Sequence, residues 1–242
     1  QIIPDFRKML EDAELDALIC AAPNHWHAPA TILACNAEKH VYVEKPCCHK
    51  IREGRLLAKA VERSGKRLQV GTQSRSTGCV TDGIERIRNG EIGEILVAKA
   101  WNSQRRSSIG KSQPGTPPPQ LDFDTWLGPA PVVPWRPNLL HSVWRWWYDF
   151  GCGDIGNDGV HDIDVALWGL GVETHPSRVT CFGQKNYFDD DQQFPDTQYA
   201  VCEYPLADNS GRCKQLIFEQ RIWSPYVQEG YENGAAFYGT EG

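Results

Sequence analysis

The sequence lacks several features that would assign it to large classes of protein. Among its 242 residues, no apolar run approaches the roughly 20 residues needed to span a bilayer. The 25 Lys and Arg residues are outnumbered by 31 Asp and Glu residues, so the basic face of a general nucleic-acid binder is not expected. The hydrophobic content of 40% is enough for a core and excludes wholesale disorder. We therefore expect a soluble globular protein with neither a membrane nor a nucleic acid as its partner.

Nine cysteines are present, but no two of them form a C-x-x-C pair. Their scattered spacing in a chain of this length argues against a disulfide framework. The densest group of possible metal ligands, Cys47-Cys48-His49 with His25 and His27, lacks the spacing of about two to four residues that is typical of zinc sites. We therefore predict reduced thiols, no metal and a cytoplasmic location. An export signal upstream of the given sequence is the alternative.

Residues 1–74 alternate between helix and strand patterns. The patterns predict helices at 4–14, 29–37 and 50–64, and strands at 17–21, 40–44 and 67–71. The first strand is a continuous apolar run, which predicts burial on both of its faces. Because the connections are short and contain helices, the strands are expected to be parallel, as in half of a doubly wound sheet.

From about residue 75 the pattern changes to strands with few helices. It predicts helices at 81–89 and within 153–170, and strands at 92–102, 177–185, 198–204, 215–223 and 235–238. Residues 114–137 hold eight of the sixteen prolines and predict a long ordered loop. Successive strands without helices between them predict an antiparallel sheet. We therefore expect an α/β protein with one domain over residues 1–74 and a second over residues 75–242.

Chemically distinctive residues follow each of the first three predicted strands. The segments are Ala22–His27 (APNHWH), Glu44-Lys45-Pro46 and Gly71–Arg75 (GTQSR). In open parallel sheets, ligands bind beyond the carboxyl ends of the strands. Charged side chains such as Glu44 and Lys45 at the end of a buried strand are costly unless they are paired or used. The three segments therefore predict a ligand site.

A fourth motif, GNDGVHDID, lies in the predicted helix within residues 153–170. Asn157, Asp158, His161 and Asp164 are three or four residues apart, which predicts that they share one helix face. An imidazole beside carboxylates has the ingredients for general acid–base catalysis near neutral pH. A structural histidine is the alternative interpretation.

Two further groups of residues each allow two interpretations. The tryptophans at positions 126, 135, 144, 146 and 147 either pack in the core or stack on a sugar, and their large area favours packing. Arg105 and Arg106 lie among serines, where a solvated loop is expected and a phosphate contact is the alternative.

Together, the segments APNHWH, VYVEKP, GTQSR and GNDGVHDID resemble the Gfo/Idh/MocA family of NAD(P)-dependent oxidoreductases. The resemblance extends over nearly the whole chain, and its most specific part is Glu44-Lys45-Pro46 combined with the H-x-x-D helix. It implies a partial Rossmann parallel sheet, followed by an α+β domain with an open, mainly antiparallel sheet. That sheet would bind a sugar or polyol substrate and join subunits in a homo-oligomer.

The resemblance also implies roles for single residues. Lys45 corresponds to the active-site lysine, and His161 to the histidine that exchanges the hydroxyl proton while hydride moves to or from the nicotinamide of NAD or NADP. Asn157 occupies a position at which many members carry Asp, and the carboxylate follows at Asp158, so both join the catalytic set. The implied cofactor residues are Pro23, Asn24, His27, Glu44, Lys45 and Gln73, and the implied substrate residues are Arg75, Asn157 and Asp164.

One element of such a cofactor site is absent from the sequence. Residues 1–40 contain no G-x-G-x-x-G turn, which would receive the pyrophosphate, and no acidic ribose-binding residue about 20 positions later. Without that turn, the chain by itself is expected to bind dinucleotide poorly. The sequence also begins at Gln1 without an initiator Met, and the resemblance implies further sheet after a turn like Gly239–Gly242, so we expect both ends to be cuts.

The expected activity is therefore NAD(P)-dependent oxidation or reduction at a hydroxyl carbon of a sugar, polyol or glycoside. Two alternatives stay open at this point. One is an NAD-dependent glycosidase that acts by transient oxidation and elimination, and the other is a non-catalytic sugar-binding relative.

Overall fold

The computed structural model describes residues 3–206, 208 and 210–242. Contacts divide the chain into two compact units, the first made of Gln1–Gly71 with Gly110–Gly156 and the second of Thr72–Ile109 with Asn157–Gly242. The proline-rich segment thus groups with the first unit, whereas the sequence places it in the second domain. The domain boundary after residue 74 stays a prediction, because grouping by contact does not measure independent folding.

The first unit is built on three parallel strands. Strands β1 (Ala17–Cys20), β2 (His40–Val43) and β3 (Leu68–Val70) pair in that order. Helices α1 (Phe6–Met9), α2 (Asn24–Asn36) and α3 (Ile51–Ser64) precede or connect them. The core cluster joins Cys20, Ala34, Val41, Val43 and Ala60, so both strands and helices contribute to it. The predicted parallel sheet is confirmed.

Two details of this unit differ from the prediction. Ile19 in β1 is 75% exposed, so burial on both faces is wrong for this strand. The reason is that β1 lies at the edge of the described sheet and has a strand neighbour on one side only. Helix α1 ends at Met9 rather than at residue 14. There, Asp12 Oδ1 accepts a hydrogen bond from the Glu14 N–H (2.9 Å), a local turn that competes with helix.

Residues 110–156 contain only short helical pieces, as the proline content predicts. They are α5 (Phe123–Leu127), the start of α6 (Gly153–Asn157) and two 3-10 turns, Pro137–Leu139 and Val143–Trp146. Trp135 and Trp144 are buried in a cluster with Leu127, Leu139 and Phe150. Core packing is therefore the role of these two tryptophans.

The second unit is a five-stranded sheet with two helices. Its elements are α4 (Gly78–Arg88), β4 (Ile95–Asn102), α7 (Gly159–Leu170), β5 (Arg178–Gln184), β6 (Thr197–Pro205), β7 (Cys213–Arg221) and β8 (Asn233–Gly239). The strand order is β5-β6-β7-β4-β8, and every pairing is antiparallel except β4 with β7. The predicted mainly antiparallel sheet is confirmed. Helix α7 packs against β4 and β8.

In the part of the chain that the structure describes, no helix combines the length and the apolar character that crossing a membrane requires.

The packing of α7 on the sheet predicts a sharp response to one added methyl group. Gly169 is buried, and a Cβ at this position would lie 2.2 Å from Cε1 of Phe237 in β8. Gly169→Ala should lower the free energy of unfolding by about 1–3 kcal/mol, because overpacking outweighs a gain in helix propensity of about 1 kcal/mol. Gly83→Ala in α4 is the matched control, since its Cβ would meet nothing within 4 Å. It should be neutral or stabilising. Equal destabilisation of both variants in urea titrations would contradict this interpretation.

Candidate active site

The strands of the first unit bring the predicted cofactor segments to one edge of the sheet. The Glu44 N–H donates to the Cys20 carbonyl (2.9 Å), and the Gly71 N–H donates to the Val43 carbonyl (2.8 Å). The strand ladder therefore continues one residue beyond β2 and β3, and the carboxyl ends of the strands lie side by side. This edge is where open α/β sheets bind ligands. The segments at this edge carry Pro23, Asn24, His27, Glu44 and Lys45.

Helix α2 begins at Asn24, five residues before its predicted start, so the predicted start at Pro29 is wrong. The first turn is held by side chains, because His25 Nε2 and Trp26 Nε1 both meet the Trp126 carbonyl oxygen, at 2.9 and 3.1 Å. These contacts offset the backbone hydrogen bond that Pro29 cannot make inside the helix. A proline in the pattern thus concealed the true beginning of the helix.

The imidazole of His27 joins the segments that follow β1 and β2. Its Nδ1 lies 2.6 Å from the Pro46 carbonyl oxygen, and its Nε2 lies 2.6 Å from the Ala22 carbonyl oxygen. The residue is only 1% exposed. Both ring nitrogens therefore face carbonyl groups of the chain itself. The ring therefore holds the two segments together, and the part of His27 in lining the dinucleotide, which the resemblance implies, stays a prediction.

Gly71 leaves the space that the Glu44 carboxylate uses. A Cβ at position 71 would lie 3.0 Å from both Glu44 Oε2 and the hydroxyl oxygen of Tyr42. A carboxylate at this edge can accept hydrogen bonds from the hydroxyl groups of a ribose. The chemistry of this edge therefore allows a ribose contact by Glu44, which stays a prediction. The glycine-rich turn for the pyrophosphate has no counterpart in the sequence.

Lys45 is half-buried, and a pair of adjacent cysteines follows Lys45-Pro46. A hydrogen bond with the Cys48 side chain lowers the pKa of Cys47 to about 7, even though burial acts in the opposite direction. Burial raises the pKa of Cys152 to about 11. The lowered pKa of a cysteine two residues from the predicted catalytic lysine is a feature that sequence reasoning missed, because it considered the cysteines only as reduced thiols or metal ligands. The adjacency of the two cysteines was the available signal.

Metal ligation and disulfides find no support in residues 3–206, 208 and 210–242. No group of three or more His, Cys, Asp and Glu side chains in these ranges is arranged to hold a metal. The nine cysteines are free.

In the second unit, two predicted substrate residues bind each other. Gln73 and Arg75 lie in a 3-10 turn, Gln73–Ser76. Arg75 forms a two-pronged ion pair with Asp164 of α7, with Nε–Oδ2 at 2.7 Å and Nη2–Oδ1 at 2.9 Å. These hydrogen bonds raise the pKa of Arg75. The guanidinium carbon also lies 5.0 Å from the ring centroid of Trp168. The two charges thus fasten the turn to α7, and their contact with substrate stays a prediction.

The predicted helix that carries the fourth motif is in fact two helices. Asn157 ends α6, α7 begins at Gly159, and Asp158 lies between them at the N-cap position. Asp158 keeps a right-handed helical conformation at this break, so the shared face of Asn157 and Asp158 with His161 stays a prediction. His161 and Asp164 do share α7, three residues apart. Glycines beside the break lower the helix propensity there.

Arg106, which the sequence places in a solvated loop, holds the Asp158 carboxylate. Its Nη2 donates to Asp158 Oδ2 in a close ion pair, and about three quarters of each side chain is buried. The Asp158 carbonyl oxygen accepts a hydrogen bond from the His161 N–H (3.0 Å). Arg106 therefore fixes a carboxylate at the first turn of α7. The sequence signal, a basic pair between a strand and a proline-rich segment, is too weak to reveal this partner.

His161 lines a cavity of about 320 Å³ formed by α4, α7 and β8. Most of the other lining side chains are apolar, among them Ile84 and Phe237. The next residue, Asp162, is buried, and its Oδ1 accepts a hydrogen bond from Asn233 Nδ2 (3.2 Å). An imidazole at the wall of a cavity large enough for a small ligand is suited to proton exchange.

Two family models match the sequence. The first, described as an oxidoreductase family with an NAD-binding Rossmann fold, matches residues 2–72. The second, described as the C-terminal alpha/beta domain of the oxidoreductase family, matches residues 100–203. Both models carry the Gfo/Idh/MocA name, and together they cover most of the chain.

Curated relatives with known activities also match. The chain is 27% identical over 238 residues to scyllo-inositol 2-dehydrogenase (NAD(+)) of Bacillus subtilis (strain 168), a match that covers 97% of this chain and 56% of the relative. It is 33% identical over 167 residues to levoglucosan dehydrogenase of Pseudarthrobacter phenanthrenivorans, covering 69% of this chain and 36% of the relative. The chain thus spans about half the length, or less, of these two relatives.

Solved structures show the same fold. The WlbA dehydrogenase from Bordetella pertussis, in complex with NADH and UDP-GlcNAcA, matches with a TM-score of 0.71 and 20% identity over 99% of this chain and 57% of that one. Levoglucosan dehydrogenase in complex with NADH matches with a TM-score of 0.70 and 20% identity over 98% of this chain and 55% of that one. At these identities the likeness concerns the fold alone.

The lowered pKa of Cys47 predicts a distinctive alkylation profile. Its rate of reaction with iodoacetamide should rise with pH through a midpoint near 7 and then level off, because the thiolate is the reactive form. Cys48→Ala removes the hydrogen-bond partner, so the midpoint should move to higher pH. Mass spectrometry of the Cys47 peptide after timed labelling measures both profiles. An unchanged midpoint in the variant would show that Cys48 does not set the pKa of Cys47.

Proposed function

Because the chain belongs to the Gfo/Idh/MocA oxidoreductase family, we propose that its protein transfers hydride between NAD or NADP and a hydroxyl-bearing carbon of a sugar or polyol. The observation that carries this proposal is the position of Glu44 and Lys45 beyond the carboxyl end of β2. The relatives named as dehydrogenases of inositol and levoglucosan support a polyol or sugar as the substrate.

The residues of the chain divide the work by their chemistry. Bound NAD or NADP supplies the hydride acceptor or donor. Lys45 donates a hydrogen bond to the substrate oxygen and so stabilises negative charge that develops on it. His161 takes the hydroxyl proton during oxidation and returns it during reduction. Asn157 binds a neighbouring hydroxyl group, and Asp158, held by Arg106, positions the first turn of α7 through the hydrogen bond that its carbonyl oxygen accepts from the His161 N–H.

The cofactor is oriented by neighbouring residues. Glu44 accepts hydrogen bonds from the nicotinamide ribose, while Pro23 and Asn24 line the dinucleotide at the start of α2. The resemblance adds Gln73, which follows β3, to the cofactor residues. His27 acts indirectly, because its ring fixes the carbonyl groups of Ala22 and Pro46 and with them the segments on which the other residues lie.

Substitution of Lys45 tests the proposal in the full-length gene product. Lys45→Ala should lower kcat by about 100-fold or more in an assay of NADH formation at 340 nm with inositols and anhydrosugars, because the charge beside the substrate oxygen is lost. Lys59→Ala, an exposed lysine on α3, is the matched control and should leave kcat unchanged. Circular dichroism checks that both variants fold. Unchanged turnover in Lys45→Ala, or glycoside cleavage without NADH accumulation, would contradict the assignment.

We also propose a cytoplasmic location for this protein. The nine cysteines are free, and reducing compartments keep thiols in this state.

We propose further that the protein forms a homo-oligomer through the sheet face opposite α7. Phe182 of β5 and Tyr199 of β6 are paired across the strands, so their side chains share a face. They are 60% and 41% exposed, which is unusual for two adjacent aromatic rings. Phe218 and Ala98, on the opposite face, are buried. A second copy of this sheet would cover the exposed rings.

A charge placed on that face tests the oligomer. Phe182→Lys should shift the molar mass measured by light scattering after size exclusion toward that of the monomer, because lysines would face each other in the interface. Val179→Lys is the matched control, since Val179 is 58% exposed on the same strand but points to the other face. A monomeric parent protein, or an equal effect of both variants, would refute the assignment of this face.

A further inference from the structure

The second unit contains a cleft of about 600 Å³ that has no role in the function proposed above. It is lined by residues 105–108 after β4, residues 187–189 after β5, and Trp223 after β7. These three strands run in the same direction, because β4 is parallel to β7 and β5 and β7 are both antiparallel to β6. Their carboxyl ends therefore share one edge of the sheet, and the cleft lies there.

One wall of the cleft is held by a buried carboxylate. Asp196 is completely buried, and its oxygens accept hydrogen bonds from the backbone N–H groups of Asn186 (2.9 Å), Tyr187 (2.8 Å) and Phe188 (2.9 Å). Burial alone would raise the pKa of Asp196, but these hydrogen bonds and one from the Thr197 hydroxyl outweigh it, so the pKa is lowered. These hydrogen bonds hold the backbone of the loop after β5 against Asp196.

A second buried carboxylate ties this loop to the opposite wall. Asp190 Oδ2 accepts hydrogen bonds from the Ser108 hydroxyl (3.0 Å) and from the Ile109 N–H (2.8 Å). Its Oδ1 lies 3.2 Å from Lys185 Nζ, and the Asp190 side chain is fully buried. The Arg106 N–H also donates to the Ile222 carbonyl (2.7 Å), beside Trp223. All three walls are therefore preorganised, as a binding site requires.

The cleft offers an aromatic surface of fixed orientation. Tyr187 stacks on Trp223 with the ring centroids 5.4 Å apart and the planes at 17°. The Trp223 indole N–H donates to the Thr197 hydroxyl (2.9 Å), which fixes this ring. Tyr187 remains 61% exposed, so much of its surface is open to a ligand. A flat apolar ring face with a polar hydroxyl at its end suits the C–H face of a sugar ring.

The polar groups that remain open in the cleft are mostly hydrogen-bond donors. In the described part of the chain, the side chains of Arg105 and Ser107 and the Tyr187 hydroxyl make no hydrogen bond or ion pair. Arg106 is already paired with Asp158, and the carboxylate in the lining, Asp189, is also engaged. Arg105, Ser107 and Tyr187 line the same cleft, and a guanidinium fork together with hydroxyl groups matches an acceptor-rich ligand group, above all a carboxylate or a phosphate.

We propose that this cleft binds a monosaccharide carrying one anionic group, with its ring on Tyr187 and the anion on Arg105. The inference goes beyond the proposed function, because this cleft shares no lining residue with the cavity that His161 lines. The link to that function is Arg106, which belongs to the cleft lining and also holds Asp158 at the start of α7. The cleft would thus distinguish a sugar that carries a negative group from a neutral sugar.

Calorimetric titration of the purified chain, without any nicotinamide nucleotide, tests the cleft separately from catalysis. The ligands are glucuronate, glucose 6-phosphate, glucose and AMP. We expect one of the two anionic sugars to bind at least about tenfold more tightly than glucose, and the tighter one identifies the anion as a carboxylate or a phosphate. Arg105→Gln should remove this preference, whereas Arg63→Gln, an exposed arginine on α3, should keep it.

A second variant separates the aromatic surface from folding. Tyr187→Phe should bind the anionic sugar with at most a severalfold loss, whereas Tyr187→Ala should lose binding while its denaturation midpoint stays close to that of Tyr187→Phe. No measurable binding of either anionic sugar, equal binding of glucose, or tighter binding of AMP would overturn the proposal. If the chain binds an anionic sugar but the full-length gene product shows no dehydrogenase turnover, the result would instead count against the proposed dehydrogenase activity. The two failures can therefore be told apart.

Discussion

The contacts of the His27 ring are the constraint on which the geometry of the first unit depends. One imidazole meets the carbonyl oxygen of Ala22 after β1 and that of Pro46 after β2, both at 2.6 Å. A buried carbonyl without a donor is costly, so two chain segments that would otherwise be independent are fixed by one ring. The position of Lys45, which precedes Pro46, follows from this arrangement.

This linkage explains why polar residues can follow such short strands. Strands of three or four residues contribute few ladder hydrogen bonds, so the ends of β1, β2 and β3 need further support. The ladder continues through Glu44 and Gly71, and Gly71 provides room for the Glu44 carboxylate that a side chain would take away. The position of the Glu44 carboxylate at the sheet edge therefore depends both on backbone pairing and on the space that Gly71 leaves.

Elements with a regular pattern could be predicted from the sequence, and their ends and partners could not. The amphipathic pattern of α3 placed it to within one residue, and the apolar runs located β1 and β2. The start of α2 was obscured by Pro29, because the stabilising contacts come from Trp126, a hundred residues away. The break at Asp158 was missed for a similar reason, since its partner Arg106 lies 52 positions earlier.

The candidate site shows the same limit. Motif resemblance could point to Lys45 and His161 by position. It could not show which charged side chains form ion pairs with each other and so are not open to a ligand. Arg75 and Asp164 look like two ligands in the sequence, whereas in the structure each is the other's partner. Such pairing depends on the distance between elements that local patterns do not encode.

The acidic excess of the chain gains a structural meaning from the second unit. Asp158, Asp164, Asp190 and Asp196 each bind a loop, a turn or a cation rather than facing solvent alone. Because hydrogen bonds to the ionised form lower the pKa of Asp196, the stability that it contributes is present at neutral pH and is lost as the pH falls through that lowered value. The net charge of −6 therefore includes carboxylates that build the walls of the cleft and one that is fixed at the start of α7. In this unit, negative charge organises the backbone, and the groups left open toward a ligand are donors.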